Sequence, residues 1–202
     1  MALTFWYDFS SSYSYLAALR VEALAKDAGV AVVWQPFLLG PIFAEAGYGG
    51  SPNLMLATKA EYMWRDIARR AAHRGHEFAR PADFPQKSVL AARAAIGVGE
   101  ADRPAFSRAV FGEIFAQGRD IADPQTIRSA ATTAGLDPAA VLEKAADPAV
   151  KETLFAAVER AKALGLFGAP SFVTEDGTLF WGDDRLADAL HWARTGSLPP
   201  EA

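Results

Sequence analysis

Phe5-Trp6-Tyr7-Asp8-Phe9-Ser10-Ser11-Ser12-Tyr13-Ser14-Tyr15-Leu16-Ala17 changes period at its serines. Before them the chain alternates: Leu3, Phe5, Tyr7 and Phe9 point one way, Thr4, Trp6 and Asp8 the other. That is a strand, and Trp6 on the second face means that face is not fully wet. After them Leu16, Leu19 and Ala23 fall on one helical face, and Gly29 is a natural stop. A second strand follows in Val30-Ala31-Val32-Val33-Trp34, ended by Pro36. A β-α-β opening implies two parallel strands joined by a right-handed crossover.

Downstream the sequence turns helical. Residues 40–56, rich in Gly and Pro, predict an irregular connection. Residues 57–74 carry Ala60, Met63, Trp64, Ile67 and Ala71 at helical spacing. A loop covers 75–87, and an Ala-rich helix runs from about Ser88 to Ile96. Pro104 starts a helix that buries Phe106, Val110, Phe111, Ile114 and Phe115. Asp123-Pro124, Asp137-Pro138 and Asp147-Pro148 each fit an N-cap carboxylate with proline at the first helical position. Gly118, Gly135 and Gly165 fall at helix ends. Ser171–Thr174 and Thr178–Trp181, around Asp176-Gly177, read as a hairpin with a tight turn. A last helix covers Asp184 to Arg194 and stops at Gly196.

The whole chain has 202 residues, 51% hydrophobic and 22% charged, with net charge −4. It is long enough for one sizeable domain or two small lobes, and too apolar for a disordered chain. An acidic balance without basic runs argues against nucleic acid or an anionic membrane as partner. No apolar run approaches a membrane span of roughly 18 residues. Met1-Ala2-Leu3-Thr4-Phe5 does not read as a secretory signal, so a cytoplasmic location is expected. Cysteine is absent, which removes disulfides, thiolate metal sites and a cysteine nucleophile.

Ser11 and Ser12 stand where a strand hands over to a helix. A helix N-terminus stabilises an anion, although both serines also read locally as plain N-caps. A hydrolase nucleophile needs a base, and His73, His76 and His191 all lie outside the stretches expected around the site. No Gly-x-Ser-x-Gly, Gly-x-Gly-x-x-Gly or P-loop is present. His73 and His76 flank Gly75 with no third ligand and read as solvent-facing, so no metal is expected. Gly168-Ala169-Pro170 precedes a strand, where a trans proline is the local default and a cis one a deliberate feature.

Three stretches taken together carry a resemblance. They are Phe5–Ala17, then Gly168-Ala169-Pro170-Ser171-Phe172, then Phe180-Trp181-Gly182-Asp183-Asp184-Arg185-Leu186. Weaker similarity lies in Trp34–Gly40 and Gly118–Ala122. The chain resembles the 2-hydroxychromene-2-carboxylate isomerases and kappa-class glutathione transferases, relatives of the DsbA-type disulfide oxidoreductases. The resemblance implies an α/β fold: a thioredoxin-like domain (1–39 and 161–202) interrupted by an all-helical insertion (40–160), with the pocket between them. Ser11 and Ser14 stand at the positions of the oxidoreductases' Cys-x-x-Cys, so the thiolate must come from outside, from glutathione.

Further roles follow from the same resemblance. Ser11 is the catalytic serine that hydrogen-bonds the sulfur, with Ser12 beside it where relatives have proline. Hydroxyl and helix amides favour the anion and lower the thiol pKa. Pro170 follows a cis bond that leaves the Ala169 backbone free to pair with glutathione. In Trp181, Gly182, Asp183, Asp184 and Arg185, Asp184 receives the γ-glutamyl ammonium with Asp183 nearby. Either aspartate also reads as an N-cap of the last helix. Asn53, Lys59 and Phe84 match positions that meet glutathione or an aromatic substrate, against the plainer readings of a solvated lysine and a core aromatic. Lys87 stands where relatives carry asparagine.

The implied reaction is isomerisation of 2-hydroxychromene-2-carboxylate, or a related aromatic-breakdown intermediate such as one from naphthalene. Thiolate addition opens the ring, a bond rotates, and elimination gives trans-o-hydroxybenzylidenepyruvate. A homodimer is the expected assembly. The alternatives are a kappa-class-like transferase, which yields a stable conjugate, and a non-catalytic thioredoxin-fold binding protein.

Overall fold

The alternation over Leu3, Phe5 and Tyr7 becomes β1 (Ala2–Tyr7) in a computed structural model that describes residues 1–200. β1 lies inside a four-stranded sheet of order β2-β1-β3-β4. β2 (Ala31–Pro36) is parallel to it, with Phe5 opposite Trp34. β3 (Ser171–Thr174) is antiparallel, with Phe5 opposite Phe172, and β4 (Leu179–Trp181) pairs antiparallel with β3. Phe5 is fully buried, its ring 4.9 Å from Trp34 and 5.5 Å from Phe172. Three strands from distant parts of the sequence thus meet at one aromatic side chain.

Period two divides β1 between two cores. Leu3, Phe5 and Tyr7 join the larger cluster, with residues of the helical middle of the chain. Trp6 faces the other way and is buried among Phe37, Ile42, Ala157, Ala161, Leu166 and Val173. Both faces of the sheet are therefore covered, as Trp6 foreshadows in the sequence.

Ten helices complete the described chain. The first segment is not the single helix expected from Tyr13 to Gly29. It is α1 (Ser12–Ala18) followed by α2 (Val21–Ala28), ended by left-handed Gly29. Arg20 breaks it, with φ −134°, and its guanidinium turns to the buried Asp183 carboxylate 3.1 Å away. α3 (Leu39–Glu45) occupies part of the stretch expected to be irregular. Its Gly40 and Pro41 lie in the first turn, where a missing N–H costs no helical bond. Next come α4 (Ala57–His73), α5 (Val89–Gly97) and α6 (Arg103–Phe115). α7 (Pro124–Thr133), α8 (Pro138–Ala146) and α9 (Pro148–Ala163) follow. All three Asp-Pro pairs cap as expected: Asp123, Asp137 and Asp147 accept from the N–H of Gln125, Ala139 and Ala149 at 2.9, 2.9 and 2.8 Å.

Two boundaries differ from the sequence reading. α9 runs across position 160, and its Ala157 and Ala161 lie on the sheet while Leu154 joins the larger core. A single helix therefore serves both the sheet and the helical block. At the C-terminal end, a 3-10 turn (Asp183–Arg185) precedes α10 (Leu186–Thr195). Arg185 occupies the N-cap position of α10, which has no side-chain cap bond, so neither aspartate caps it.

α6 fastens the helical block to the sheet. Phe106, Val110, Phe111, Ile114 and Phe115 are all fully buried. The Phe111 ring lies 5.0 Å from Phe9 and 5.8 Å from Tyr7. Tyr7 and Ser107 hydroxyls share a 2.7 Å hydrogen bond, and burial pushes the Tyr7 phenol well above its ordinary range. Phe111→Ala should cost about 3–5 kcal/mol, the cost of emptying a buried aromatic site. Urea unfolding reads it directly, and a loss under about 1 kcal/mol would contradict this packing.

At the hairpin, Asp176 accepts from the Thr174 hydroxyl, the Trp192 indole N–H (3.0 Å) and the Thr178 N–H (3.1 Å). These bonds hold its carboxyl well below the usual carboxylate range. A depressed folded pKa contributes stability above the unfolded value, lost as pH falls through the folded one. Asp176→Asn should flatten the decline of the melting temperature below about pH 4. An equally steep decline in the variant would refute this assignment.

Candidate active site

The turn between β1 and α1 is fixed by its own polar groups. The Ser11 N–H donates to the Asp8 carbonyl (2.9 Å), and Ser11 adopts an extended conformation at the N-cap of α1. Its Oγ accepts from the Ser14 N–H at 3.2 Å, satisfying one orphan donor of the first turn. The Ser11 hydroxyl then donates to the Ala169 carbonyl at 2.8 Å, across 158 positions of sequence. Ser11 is therefore an N-cap, as the local reading has it, and also a bridge to the C-terminal part of the chain.

On the far side, the Ala169–Pro170 peptide is cis. The Pro170 carbonyl accepts from the Gly182 N–H at 2.9 Å, and the Ser171 hydroxyl donates to the Gly168 carbonyl at 2.9 Å. One corner thus holds Ser11, Ser12, Ala169, Pro170 and Gly182. Among the described residues the N–H groups of Ser12, Tyr13 and Ala169 have no acceptor. Ser12 is buried, yet its hydroxyl makes no hydrogen bond there, so Ser11 rather than Ser12 links the two halves.

Close approach requires glycine at one position of the corner and a positive φ requires it at another. Trp181 lies over Gly168, where a Cβ would overlap the indole nitrogen. Gly182 has φ 112°, and a Cβ there would sit 2.6 Å from Asp184 Oδ1. The Trp181 ring is half exposed and packs 4.9 Å from Phe167.

The paired aspartates do different work. Asp183 is buried, and its two oxygens meet Arg20 (3.1 Å) and Arg74 (2.9 Å). Arg20 also donates to the Asp183 carbonyl and Arg74 to the Leu16 carbonyl. This carboxylate therefore ties the 3-10 turn to the α1–α2 junction and to the end of α4. Asp184 is open to solvent, with Arg185 3.6 Å away.

The other expected residues lie on the helical side. Asn53 is half-buried in the loop before α4, and Lys59 is exposed on the first turn of α4. Neither bonds to the Ser11 corner. Phe84 packs 4.8 Å from Trp64 and 6.2 Å from Phe115, as a core aromatic does, and precedes a second cis proline, Pro85. Lys87 is exposed. A hollow of about 620 Å³ lined by Arg108, Glu113 and Arg119 includes none of these residues. Among the described residues no three metal-binding side chains gather, and no helix is long and apolar enough to cross a membrane.

Sequence reasoning passed over three polar anchors. The Tyr13 hydroxyl donates to Asp66 (3.1 Å), which also accepts from Arg70 (2.7 Å). Burial, then the Asp66 charge, pushes the Tyr13 phenol above its ordinary range. The Gln86 N–H donates to Ser10 Oγ at 2.9 Å. Asp8, 4% exposed, is the third; its signal was an acidic residue inside an aromatic strand. Asp183→Asn should weaken the hold on two arginines and cost about 1–3 kcal/mol in urea unfolding, below the cost of a deeply buried pair because both guanidinium groups keep partial contact with water. No measurable cost would mean the network is ornamental.

The DSBA-like thioredoxin domain model matches residues 2–191. The chain is 32% identical over 184 residues to the 2-hydroxychromene-2-carboxylate isomerase of Sphingobium xenophagum, covering 91% of this chain and 93% of that protein. It is 29% identical over 212 residues to human glutathione S-transferase kappa 1, covering 96% and 93%. A solved 2-hydroxychromene-2-carboxylate isomerase superposes with TM-score 0.80 at 27% identity, over 92% of this chain and 91% of that one. A probable DsbA oxidoreductase of Streptomyces coelicolor, 22% identical with TM-score 0.78 and coverage of 100% and 93%, shares the fold. With Ser11 bonded to the peptide before a cis proline, the chain belongs to the DSBA-like thioredoxin family, among the 2-hydroxychromene-2-carboxylate isomerases and kappa-class glutathione transferases.

Proposed function

We propose that this protein is a glutathione-dependent isomerase of 2-hydroxychromene-2-carboxylate or a closely related aromatic-breakdown intermediate. The observation that carries the reading is the Ser11 hydroxyl at the head of α1, 2.8 Å from the Ala169 carbonyl of a cis Ala–Pro peptide, in a chain without cysteine. Glutathione, when bound, supplies a thiolate able to add reversibly to an unsaturated carbon, so a double bond can turn without net redox change.

The chain's own groups suit that ligand. The Ser11 hydroxyl carries one proton, and it now points to Ala169. Turning it to a sulfur frees the Ala169 carbonyl, whose residue then offers an acceptor and an unpaired N–H to an extended peptide, as a sheet edge does. The unpaired N–H groups of Ser12 and Tyr13 favour an anion at the same place. Asp184 is the open carboxylate for the γ-glutamyl ammonium, and Asp183 holds the turn that carries it. Trp181 and Gly182 frame that side. Asn53, Lys59 and Phe84 are assigned to the aromatic substrate, with Lys59 for a carboxylate. The same reading carries a cytoplasmic homodimer.

A second reading, a kappa-class-like transferase, rests on the human relative matching 96% of the chain. Product analysis separates the two: the isomer returned with free glutathione, or a stable conjugate.

Ultraviolet assay of chromene–benzylidenepyruvate interconversion should show turnover only with glutathione. Absence of glutathione-dependent turnover would reject the isomerase. If millimolar glutathione also leaves the melting temperature unmoved, the binding-protein alternative stands. Ser11→Ala should lower kcat roughly a hundredfold, as loss of an anion-stabilising donor does. It should also raise the pKa of bound glutathione thiol, so that the rising limb of the rate profile moves to higher pH. An unchanged thiol titration would remove Ser11 from this role.

A further inference from the structure

Asp8 directly follows β1, three residues before Ser11, with its carboxylate almost wholly buried. Its Oδ1 accepts from the Ser10 N–H at 2.8 Å. Its Oδ2 accepts from the Leu39 N–H, also at 2.8 Å, at the head of α3. Its own carbonyl accepts from the Ser11 N–H at 2.9 Å, and the Phe37 N–H donates to the neighbouring Tyr7 carbonyl at 3.0 Å. One side chain thus clamps the β1–α1 turn to the β2–α3 turn. The Ser10 hydroxyl, one residue on, is engaged by the Gln86 N–H.

A buried carboxylate without a cation is an expensive way to join two turns. The groups facing Asp8 are the Ser10 amide on its own turn, the Leu39 amide at the head of α3 and the Ser88 hydroxyl at the head of α5, none of them charged. Burial outweighs these bonds and raises its carboxyl above the ordinary value. Folding stability contributed by such a group is greatest below the unfolded pKa and is lost as pH rises through the folded one, so ionising Asp8 works against the fold. Its geometry serves something else. Ser11 must hold its hydroxyl at one point between α1 and Ala169, and reacting groups tolerate little displacement.

We infer that Asp8 is a positioning residue that sets where Ser11 presents its hydroxyl, acting through the two backbone amides it clamps. This rests on the thiolate-binding reading above. Two roles for Asp8 give opposite signs. A merely electrostatic carboxylate opposes a nearby thiolate, so removing its charge lowers the pKa of bound glutathione. A clamp does the reverse, because a displaced Ser11 hydroxyl no longer stabilises the sulfur.

The test is Asp8→Asn, titrating the thiol of bound glutathione by ultraviolet absorbance and following amide hydrogen exchange. The clamp predicts a raised thiol pKa and a kcat lower by about tenfold to a hundredfold, with KM for the chromene nearly unchanged. It also predicts that the Asp8→Asn/Ser11→Ala double variant shifts the thiol no further than Ser11→Ala alone. Faster exchange is expected at Ser10 and Leu39, with the rest of the sheet unchanged. A lowered or unchanged thiol pKa in folded Asp8→Asn overturns the inference. Should that variant not fold, Leu39→Pro decides by the thiol titration and by exchange at Ser10: it removes one donor, keeps the Asp8 side chain, and places proline at a first helical position after an extended residue. If wild-type protein leaves glutathione untouched, the isomerase reading fails by itself, and exchange at Ser10 and Leu39 still judges the clamp.

Discussion

One hydrogen bond, from the Ser11 hydroxyl to the Ala169 carbonyl, joins the first fifteen residues to the last forty. It forms only because the sheet brings β1 beside β3, so that the strand end carrying Asp8 lies next to the peptide before Pro170. The paired register of Trp6 with Ser171 makes that adjacency a property of the backbone. Everything polar in the corner is arranged around this contact: Asp8 and Gln86 fix the turn on one side, Gly182 and Ser171 fix the cis peptide on the other. A neutral bond of this kind contributes only about 1 kcal/mol to stability, so its importance lies in placing one hydroxyl.

The apolar frame beneath it is what makes such placement possible. Phe5, Trp34 and Phe172 lock three strands together, and α6 lays Phe111 and Phe115 against Phe9 and Tyr15. Buried aromatics at these separations leave few alternative packings. The Asp183 carboxylate adds a polar tie, holding Arg20 where the first helix breaks and Arg74 where α4 ends. The end of β1, the start of β3 and the turn that holds Asp183 thereby lie at the same end of the sheet.

Much of this was legible in the sequence because periodicity records which face is buried. The parallel pair of opening strands, the hairpin, the long helix at 57–74 and the three Asp-Pro caps follow from local chemistry, and the structure agrees with each. Local chemistry could not reveal the break at Arg20, whose guanidinium meets a carboxylate 163 positions away. Nor could it reveal α3, because a Gly-Pro pair tolerated in a first turn looks like a loop. The pairing of Ser11 with Ala169 was reachable only through resemblance; no spacing rule joins residues that far apart. Asp8 was hidden for another reason: alternation marks it as outward-facing, whereas a neighbouring turn closes over it.

α9 has a consequence of its own. Because its early turns sit in the helical block and its later ones lie on the sheet, the two parts share a beam instead of a joint. Jaw-like opening would have to bend that beam or strip Ala157 and Ala161 from Trp6.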